Sequence, residues 1–429
     1  MTRTWQRTLI NILSIVIATG LLLDVKVAFA DKAEKTMLVW AGDQAHKAPD
    51  FIAVVDFDRN SPKYGKVLRT IPLTGRSAAG NEPHHVGISR DGRTLALGGL
   101  LSILKGQDQV FFFDVSDPRQ PRFISSDSPP DASITDDFFA LGNGGFLVTF
   151  MGGPNGAEPG RVVEYDAGLK RIASWPITPP ADGFNPHGIA VDEAHNLMVT
   201  SDFICPLMTL HDHDMVNLRG TVRVWDLASR SITRTIEVNP NEGAGMMDVQ
   251  LIPRDVRQRA YTAGMTDNKL YLIDTQKGTA AAVFDFNIPR FQVGSTMISP
   301  QLMRINKTGT RLFITLNYGG AAGKVVMFDI ARPDHPKVMD VVDLGPNSGP
   351  HYLRLTKDDK QIVVTDYFLV EDLMPGGVVQ IDGDRKIHVI NVHGNRLELD
   401  TKFDLDFKRD IGTGPARPHG VVLLPDQDD

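Results

Sequence analysis

Residues 418–423 are Pro-His-Gly-Val-Val-Leu, a polar start followed by apolar residues that are typical of a β-strand. The pattern has seven copies: Pro83-His-His-Val-Gly-Ile88, Asp136-Asp-Phe-Phe-Ala-Leu141, Pro186-His-Gly-Ile-Ala-Val191, Met246-Met-Asp-Val-Gln-Leu251, Pro300-Gln-Leu-Met-Arg-Ile305, Pro350-His-Tyr-Leu-Arg-Leu355 and residues 418–423. Seven apolar runs that end in an acidic or amide residue accompany them: Phe51–Asp56, Val110–Asp114, Val162–Asp166, Val222–Asp226, Leu270–Asp274, Val325–Asp329 and Ile387–Asn391. The mean spacing of these runs is about 56 residues, which indicates a repeat architecture.

Short β-rich segments at this period predict an all-β fold, a seven-bladed β-propeller. A solenoid is the alternative, and the two ends of the chain argue against it. Residues 37–40, 51–56 and 66–73 are strands that lack an innermost partner, whereas residues 418–424 form a lone innermost strand. We therefore expect strands from both termini to close the seventh blade. Closure pairs the sheet edges that would otherwise stay open, and it gives one domain over residues 31–429.

The first thirty residues have the features of a secretory signal peptide. Arg3 and Arg7 precede an apolar stretch at residues 9–23, and Ala28-Phe-Ala30 offers a cleavage site. An uncleaved membrane anchor is the alternative, but the stretch is shorter than the ~20 apolar residues that span a bilayer. We expect cleavage after Ala30, export to the periplasm and no membrane attachment after cleavage.

The composition limits the classes of function. The 429 residues are 42% hydrophobic and 23% charged, which excludes disordered, collagen-like and coiled-coil proteins. The net charge is −7 and basic residues form no long run, so nucleic acid is not expected as a partner. The chain has one cysteine, which excludes an intramolecular disulfide or a thiolate metal cage. Any metal must be bound by His, Asp, Glu or Met.

The propeller predicts a ring of side chains at one rim of its channel, because the innermost strands line the axis. The ring members are His84 with His85 beside it, Asp136, His187, Met247, Gln301, His351 and His419. Imidazole is a ligand for copper, zinc, iron and nickel, and a thioether favours Cu(I). The alternative is that histidine occurs here because a rim is polar and imidazole can bond to backbone groups.

A ring of seven blades is too wide for every member to reach one ion through bonds of ~2 Å. Three or four neighbours must supply such a site. The contiguous arc of candidates is His351, His419, His84, Asp136 and His187, and we expect the metal there.

Two further carboxylates are expected near this rim. Asp202 and Asp366 lie fifteen residues after His187 and His351, at the ends of strands that return to the same rim. They are candidates for orienting the imidazoles or for acting as bases. Capping of strand-end turns by Asp is the alternative.

The chain resembles the selenium-binding protein family, whose bacterial and animal members include methanethiol oxidases. The resemblance is carried by Pro49–Asp58, Ser61-Pro-Lys-Tyr64, the His84-His85 pair, His195–Ser201, Gly220–Asp226 and His419. It implies a seven-bladed propeller and, in bacteria, a periplasmic copper enzyme that oxidises methanethiol with oxygen and water to formaldehyde, hydrogen sulfide and hydrogen peroxide. The family's copper histidines correspond to His84, His85 and His419.

The chain departs from the family pattern in two places. Ser133-Ile-Thr-Asp-Asp137 contains no histidine where the family has one, so we expect His187 or His351 to take its place. Ser89-Arg-Asp-Gly92 replaces the cysteine-containing stretch that animal members link with selenium. Selenium binding through that cysteine is therefore not expected.

Three functions from different classes stay open on the sequence. The first is a copper oxidase of a small thiol, with oxygen as co-substrate and Asp136, Asp202 or Asp366 accepting the proton. The second is a non-catalytic periplasmic propeller that binds copper or selenium, and the third is a protein-interaction scaffold. A homo-oligomer also stays open. We expect Cys205 to be a small buried residue and the segment His211-Asp-His-Asp214 to be a solvated or loosely metal-collecting loop.

Overall fold

Short antiparallel strands make up nearly all of the regular structure in the computed structural model of the chain. It describes residues 33–206, 218–239, 243–292, 298–318, 321–366, 369–371, 379–381 and 383–426. The predicted signal peptide and the segment 211–214 lie outside these residues. Ala33–Asp429 form one compact unit.

The strands in chain order are Glu34–Asp43 (β1), Phe51–Asp56 (β2), Val67–Pro72 (β3), Pro83–Ile88 (β4), Thr94–Gly99 (β5), Val110–Asp114 (β6), Arg122–Asp127 (β7), Ser133–Ala140 (β8), Phe146–Gly152 (β9), Arg161–Tyr165 (β10), Arg171–Trp175 (β11), Pro186–Asp192 (β12), Leu197–Asp202 (β13), Thr221–Asp226 (β14), Ser231–Glu237 (β15), Met246–Leu251 (β16), Arg259–Gly264 (β17), Lys269–Asp274 (β18), Thr279–Asp285 (β19), Ser299–Ile305 (β20), Arg311–Asn317 (β21), Lys324–Asp329 (β22), Lys337–Asp343 (β23), Pro350–Leu355 (β24), Gln361–Asp366 (β25), Leu369–Glu371 (β26), Val379–Ile381 (β27), Lys386–His393 (β28), Arg396–Leu399 (β29), Leu405–Asp406 (β30) and Ala416–Pro425 (β31). Short 3₁₀ helices occupy Ser102–Lys105, Pro154–Gly156 and Glu193–His195.

The strands form seven blades, which confirms the predicted seven-bladed propeller. From the innermost strand outward, blade 1 is β4–β7, blade 2 is β8–β11, blade 3 is β12–β15, blade 4 is β16–β19 and blade 5 is β20–β23. Blade 6 contains β24, β25, β28 and β29, with β30 beside β28, while β26 and β27 form a separate hairpin. Blade 7 contains β31, β1, β2 and β3.

Both ends of the chain build blade 7, as the sequence predicted. Strand β31 pairs with β1 in antiparallel register from Thr36 opposite Leu424 to Asp43 opposite Ala416. Nine of the ten residues of β31 are buried. Because β31 supplies the innermost strand and β1 to β3 supply the rest, neither terminus alone completes the blade.

The core lies between the faces of adjacent blades. The third strands, which correspond to the apolar runs of the sequence, have side chains buried on both faces, as in β2 and β6, whereas the outermost strands β3 and β7 are partly exposed. The largest apolar cluster joins blades 6, 7 and 1 across the closure. The Trp40 indole N–H of blade 7 also donates to the Gly98 carbonyl of blade 1 at 2.8 Å. The closure is therefore held by packing and by hydrogen bonds.

Within the described ranges, the 3₁₀ helices fall well short of the length and apolar character that a bilayer crossing needs.

Deleting residues 415–429 is expected to prevent stable folding. The deletion removes the innermost strand of blade 7 and leaves the inner edge of β1 unpaired. Burial of Val421, Val422, Leu423 and Leu424 contributes ~8 kcal/mol at ~2 kcal/mol each, which is similar to the whole stability of a typical domain. Soluble yield and thermal unfolding test this. A soluble truncated chain with an unchanged unfolding midpoint would contradict closure by both termini.

Candidate metal centre

A β-bulge at the start of every innermost strand shapes the rim of the channel. In blade 1, Pro83 lies opposite Gly99 and Val86 lies opposite Leu97, so β4 contains one residue more than β5 over this interval. The same extra residue occurs in β8, β12, β16, β20, β24 and β31. A bulge interrupts the regular alternation of side chains. It therefore allows His84 and His85, which are consecutive, to reach the same cluster.

Five histidines and one aspartate converge at this rim. The ligand atoms of His84, His85, His351 and His419 all lie within 4.8 Å of one another, and an overlapping group contains His84, Asp136 and His187. Each of the six residues is at most 3% exposed. The structure thus brings together every member of the arc that the sequence proposed, together with His85.

The imidazole rings are packed closely against each other. The centroids of His84 and His85 are 4.1 Å apart and those of His84 and His419 are 4.5 Å apart, both in stacked arrangements. The His85 and His351 centroids are 5.3 Å apart. Histidines from blades 1, 6 and 7 therefore form one compact set.

The Asp136 carboxylate faces three of these rings. Its oxygens lie 3.3 Å from His84 Nε2, 3.1 Å from His85 Nδ1 and 3.1 Å from His187 Nε2. Neither oxygen has a partner in hydrogen-bond geometry, although both are buried. Burial alone would raise the pKa of Asp136, but His187 and His85 hold it well below its usual range.

The contact between His85 and His351 is the most informative distance in the cluster. Their Nε2 atoms are 3.1 Å apart. The Nδ1–H of His351 donates to the Gln301 Oε1 at 2.8 Å, and the Gln301 amide nitrogen donates to the Ser299 hydroxyl at 2.6 Å. This network leaves the lone pair of His351 Nε2 directed at His85.

The protons of two neutral rings cannot satisfy this arrangement. If His85 carries its proton on Nδ1, facing Asp136, then two Nε2 lone pairs face each other. If the proton is on Nε2, the Nδ1 lone pair of His85 faces the Asp136 carboxylate at 3.1 Å. A cation removes the conflict, and 3.1 Å is close to the ligand separation of about 3.3 Å in a tetrahedral site with bonds of ~2 Å. The donor set therefore fits a bound metal ion.

Four of the five histidines have a lowered pKa, which favours the neutral form that binds metals. Burial and the neighbouring His84 lower the pKa of His85 to about 3. Burial and the adjacent imidazoles hold the pKa values of His351 and His419 well below the usual range, and burial also lowers that of His187. Protons therefore compete weakly for these nitrogens near neutral pH.

Hydrogen bonds between blades hold the backbone of the histidines in place. Thr315 in β21 donates to the His351 carbonyl at 2.8 Å, and Thr365 in β25 donates to the His419 carbonyl at 2.6 Å. Thr149 in β9 donates to the carbonyl of His187 at 2.5 Å in the same way. Each threonine belongs to the preceding blade, so neighbouring blades fix the position of each of these strands.

Gly420 allows the strands of blades 7 and 1 to approach closely. A Cβ added there would lie 2.6 Å from the His84 carbonyl oxygen and 2.4 Å from the Val86 side chain. A larger residue would push β31 away from β4 and separate His419 from His84. Close packing against β4 thus explains the glycine in the Pro-His-Gly sequence of blade 7.

A buried ion pair fixes the same junction. The Arg417 guanidinium contacts both carboxylate oxygens of Glu82 at 2.7 and 2.9 Å, and both side chains are at most 3% exposed. These residues precede His419 and His84 by two positions. Removal of one partner of a buried pair commonly costs ~3–5 kcal/mol, so this pair resists separation of the two histidines.

Apolar side chains lie beside the cluster. Phe203 packs edge-on against His187 with centroids 5.0 Å apart, and Tyr352 lies 5.3 Å from His85. Phe203 also packs against a buried apolar cluster, whose members are Leu100, Leu101, Ile134, Met151, Ile204 and Leu218. The surroundings of the histidines are therefore low in water and partly apolar.

Asp202 and Asp366 have other partners than the sequence proposed. Asp202 accepts from Arg223 Nε at 2.6 Å, from the Thr221 hydroxyl at 2.7 Å and from a backbone N–H at 3.1 Å. Asp366 groups with Asp384 and His388 rather than with the rim histidines. Arg223 and Thr221 lie in the third strand of blade 3, and His388 lies in the third strand of blade 6. Both carboxylates therefore have partners within their own blades rather than among the rim histidines.

The structure also locates the remaining residues that the sequence singled out. Met247 is buried in the main apolar cluster together with Leu302. Cys205 is buried, as expected. Two contacts were not predicted from the sequence: Gln301 accepts from His351, and Arg417 pairs with Glu82. Gln301 lies at a repeated rim position, and Arg417 and Glu82 each lie two residues before one.

The family model and the curated relatives that match the chain indicate one family. The family model described as 56kDa selenium binding protein (SBP56) matches residues 24–428. A protein named methanethiol oxidase from Hyphomicrobium sp is 25% identical over 403 residues, covering 87% of this chain and 83% of that protein. One of the same name from Danio rerio is 22% identical over 420 residues, covering 86% and 88%.

A solved structure has the same fold. The X-ray structure of a hypothetical selenium-binding protein from Sulfolobus tokodaii superposes with a TM-score of 0.73 at 18% sequence identity. The match covers 92% of this chain and 94% of that chain. At this identity the likeness concerns the fold alone.

The metal-free protein is expected to lose stability as the pH falls. A histidine in an unfolded chain titrates near 6.5, whereas His85 titrates at about 3 in the fold. Between these values the unfolded state binds more protons. The free energy of unfolding therefore falls by up to ~1.4 kcal/mol per pH unit for each such histidine as the pH drops below ~6.5. Chemical unfolding of chelator-treated protein between pH 7 and pH 5 measures this slope.

Two substitutions isolate the contribution of the cluster. His85→Gln is expected to reduce the slope by about one histidine equivalent, whereas His393→Gln, at a side chain that is 60% exposed, leaves it unchanged. Equal slopes for the wild type and His85→Gln would show that His85 titrates normally.

Proposed function

The chain belongs to the 56kDa selenium binding protein family, and from this premise we propose that it is a copper-dependent oxidase of a small thiol. The proposed reaction converts methanethiol, oxygen and water into formaldehyde, hydrogen sulfide and hydrogen peroxide. Relatives named methanethiol oxidase support this chemistry. The proposed location is the periplasm, supported by the signal-peptide features of residues 1–30.

The opposed Nε2 atoms of His85 and His351, 3.1 Å apart, are the observation that carries the proposal. A cation bound between the neutral rings would accept both lone pairs, and an imidazole-rich donor set suits copper, which lies at the top of the affinity order for divalent metals. We assign His84, His85, His351 and His419 as the residues that hold it. Copper bound there would supply a soft Lewis acid and a redox centre for electron transfer from thiol to oxygen.

Asp136 and Gln301 orient the ligands in this proposal. Gln301 keeps the proton of His351 on Nδ1 and so exposes Nε2. Asp136 faces His84, His85 and His187 and favours N–H groups on their near side. Such outer partners fix the tautomer and the angle of a ligating ring.

Asp136 is also the best placed of the three proposed proton acceptors. Thiols react and bind metals as thiolates, so the substrate must release a proton. Asp202 is paired with Arg223, and Asp366 groups with Asp384, whereas Asp136 contacts the histidines directly.

The apolar surroundings support a small alkyl thiol as the substrate. Phe203 and Tyr352 lie next to the rings of His187 and His85, where a methyl group would be shielded from water. The histidines are almost completely buried, which also favours a small substrate.

A non-catalytic protein that binds copper or selenium is the second candidate. The name of the matched family and the low pKa of Asp136, which makes this carboxylate a weak base, favour it. The first candidate requires product release and the second requires only a bound ligand, so the assays below separate them.

Replacing His84 and His419 together by Ala is expected to abolish stoichiometric copper binding. The two rings are stacked with centroids 4.5 Å apart and come from opposite ends of the chain. They are two of the four proposed ligands, so replacing both removes half of the ligand set. Copper content per chain after loading and desalting measures the effect. The matched control is His195→Ala/His393→Ala, at two side chains that are each 60% exposed, and it should retain full copper. Equal copper in both double variants would place the metal elsewhere.

Copper-loaded protein is expected to consume oxygen in the presence of methanethiol. Sulfide, formaldehyde and peroxide should form in equal amounts, because each turnover of the balanced reaction releases one of each. The His84→Ala/His419→Ala variant should lose at least ~100-fold in rate, since catalysis by a metal requires the metal. Tight copper binding without sulfide release would instead support the non-catalytic candidate.

A further inference from the structure

A second group of metal-type ligands lies in blade 6, apart from the rim histidines. Asp366 ends β25, Asp384 precedes β28 and His388 lies within β28, and their ligand atoms are within 4.8 Å of one another. Asp366 is completely buried, and the side chains of Asp384 and His388 are 11% and 9% exposed. The three residues thus form a compact pocket of potential ligands inside the blade.

The Asp366 carboxylate is only partly satisfied. Its Oδ2 accepts from the backbone N–H of Asp384 at 2.8 Å, but its Oδ1 has no hydrogen-bond partner. The Asp384 Oδ2 lies 3.1 Å from His388 Nε2. A buried carboxylate oxygen without a donor is costly, so the group lacks a positively charged or donating species.

Blade 3 contains the same arrangement with that species built in. Asp202 and Asp366 both end a second strand, and both lie opposite the proline that begins the innermost strand. Two residues before each aspartate, the residue of the second strand lies opposite Arg223 in blade 3 and opposite His388 in blade 6. His388 therefore occupies the position of Arg223.

The replacement changes the charge of the group. In blade 3, Arg223 Nε donates to Asp202 at 2.6 Å and supplies a permanent positive charge. Arg223 Nη1 also contacts the Asp182 carboxylate at 3.0 Å, so in blade 3 one arginine serves two carboxylates. In blade 6 the two carboxylates are Asp366 and Asp384, and the arginine is absent. Among the residues that the structure describes, neither Asp366 nor Asp384 has a Lys or Arg ion-pair partner. Two carboxylates and one imidazole thus lack the cation that the equivalent site of blade 3 contains.

We propose that Asp366, Asp384 and His388 bind a divalent transition-metal ion of the zinc or manganese class. Such ions accept mixed carboxylate and imidazole ligands, and a charge of +2 balances the two carboxylates. Calcium and magnesium prefer oxygen ligands alone. Asp366 and Asp384 border the segment between β25 and β28, so the ion joins the two points at which the chain leaves and re-enters the blade.

A zinc count on the purified full-length protein tests the proposal. The protein is loaded with zinc, desalted and analysed by native mass spectrometry. His388→Arg, which reproduces the residue of blade 3, is expected to hold one zinc ion fewer per chain than the wild type. Because arginine supplies the missing charge, this variant should still fold. His393→Arg, at the exposed end of the same strand, should hold as many ions as the wild type.

Two further variants keep the test decisive. Asp384→Asn should also lose one zinc ion, and it replaces His388→Arg if that protein does not fold. His84→Ala/His419→Ala should lose the ion of the rim cluster and retain the ion of blade 6. The two sites are thus counted separately, and a failure of the proposed function can be told apart from a failure of this proposal. Equal zinc counts in the wild type, His388→Arg and Asp384→Asn would overturn the proposal.

Discussion

The antiparallel pairing of β31 with β1 is the constraint on which the rest of the structure depends. It inserts a C-terminal strand as the innermost strand of a blade whose other strands come from the N terminus. His419 thereby reaches stacking distance of His84, a residue near the other end of the propeller sequence. Without this pairing, the rim cluster would lose a ring, the Arg417–Glu82 ion pair and the strand that borders His84.

The bulged start of each innermost strand converts this closure into a chemical site. A regular strand would send His84 and His85 to opposite faces, whereas the extra residue brings both into the cluster. The result is a set of neutral imidazoles around one buried carboxylate. Such a set is unfavourable on its own, because both oxygens of the buried Asp136 carboxylate lack donors in hydrogen-bond geometry. A bound cation would offset that cost, and under the proposed function stability and metal binding are therefore linked.

Much of the fold was predictable from sequence, because each blade repeats two short patterns. The apolar runs became the third strands, and the Pro-His segments became the innermost strands, including the one at residues 418–423. The arc from His351 to His187 was predictable for the same reason, since its members share one register position. Residue spacing alone thus placed five of the six converging side chains, and the sixth, His85, is adjacent to His84 in the sequence.

The partners of individual side chains were harder to predict from the sequence. Asp202 and Asp366 hold matching positions in two blades, but their environments depend on whether the facing strand supplies Arg223 or His388. In each of these blades a long insertion separates the second strand from the third, so residue spacing could not reveal which residues face each other. The role of Gln301 was hidden for another reason, because a glutamine at a rim position gives no sign of which histidine its amide will face.

X-ray absorption at the copper edge of the copper-loaded protein tests the central claim most directly. The proposed cluster predicts a first shell of three or four imidazole nitrogens at ~2.0 Å, with the outer-ring scattering that imidazole produces. It also predicts that His85→Gln removes one of these nitrogens. A shell dominated by oxygen or sulfur, or one that His85→Gln leaves unchanged, would contradict a copper centre built from the rim histidines.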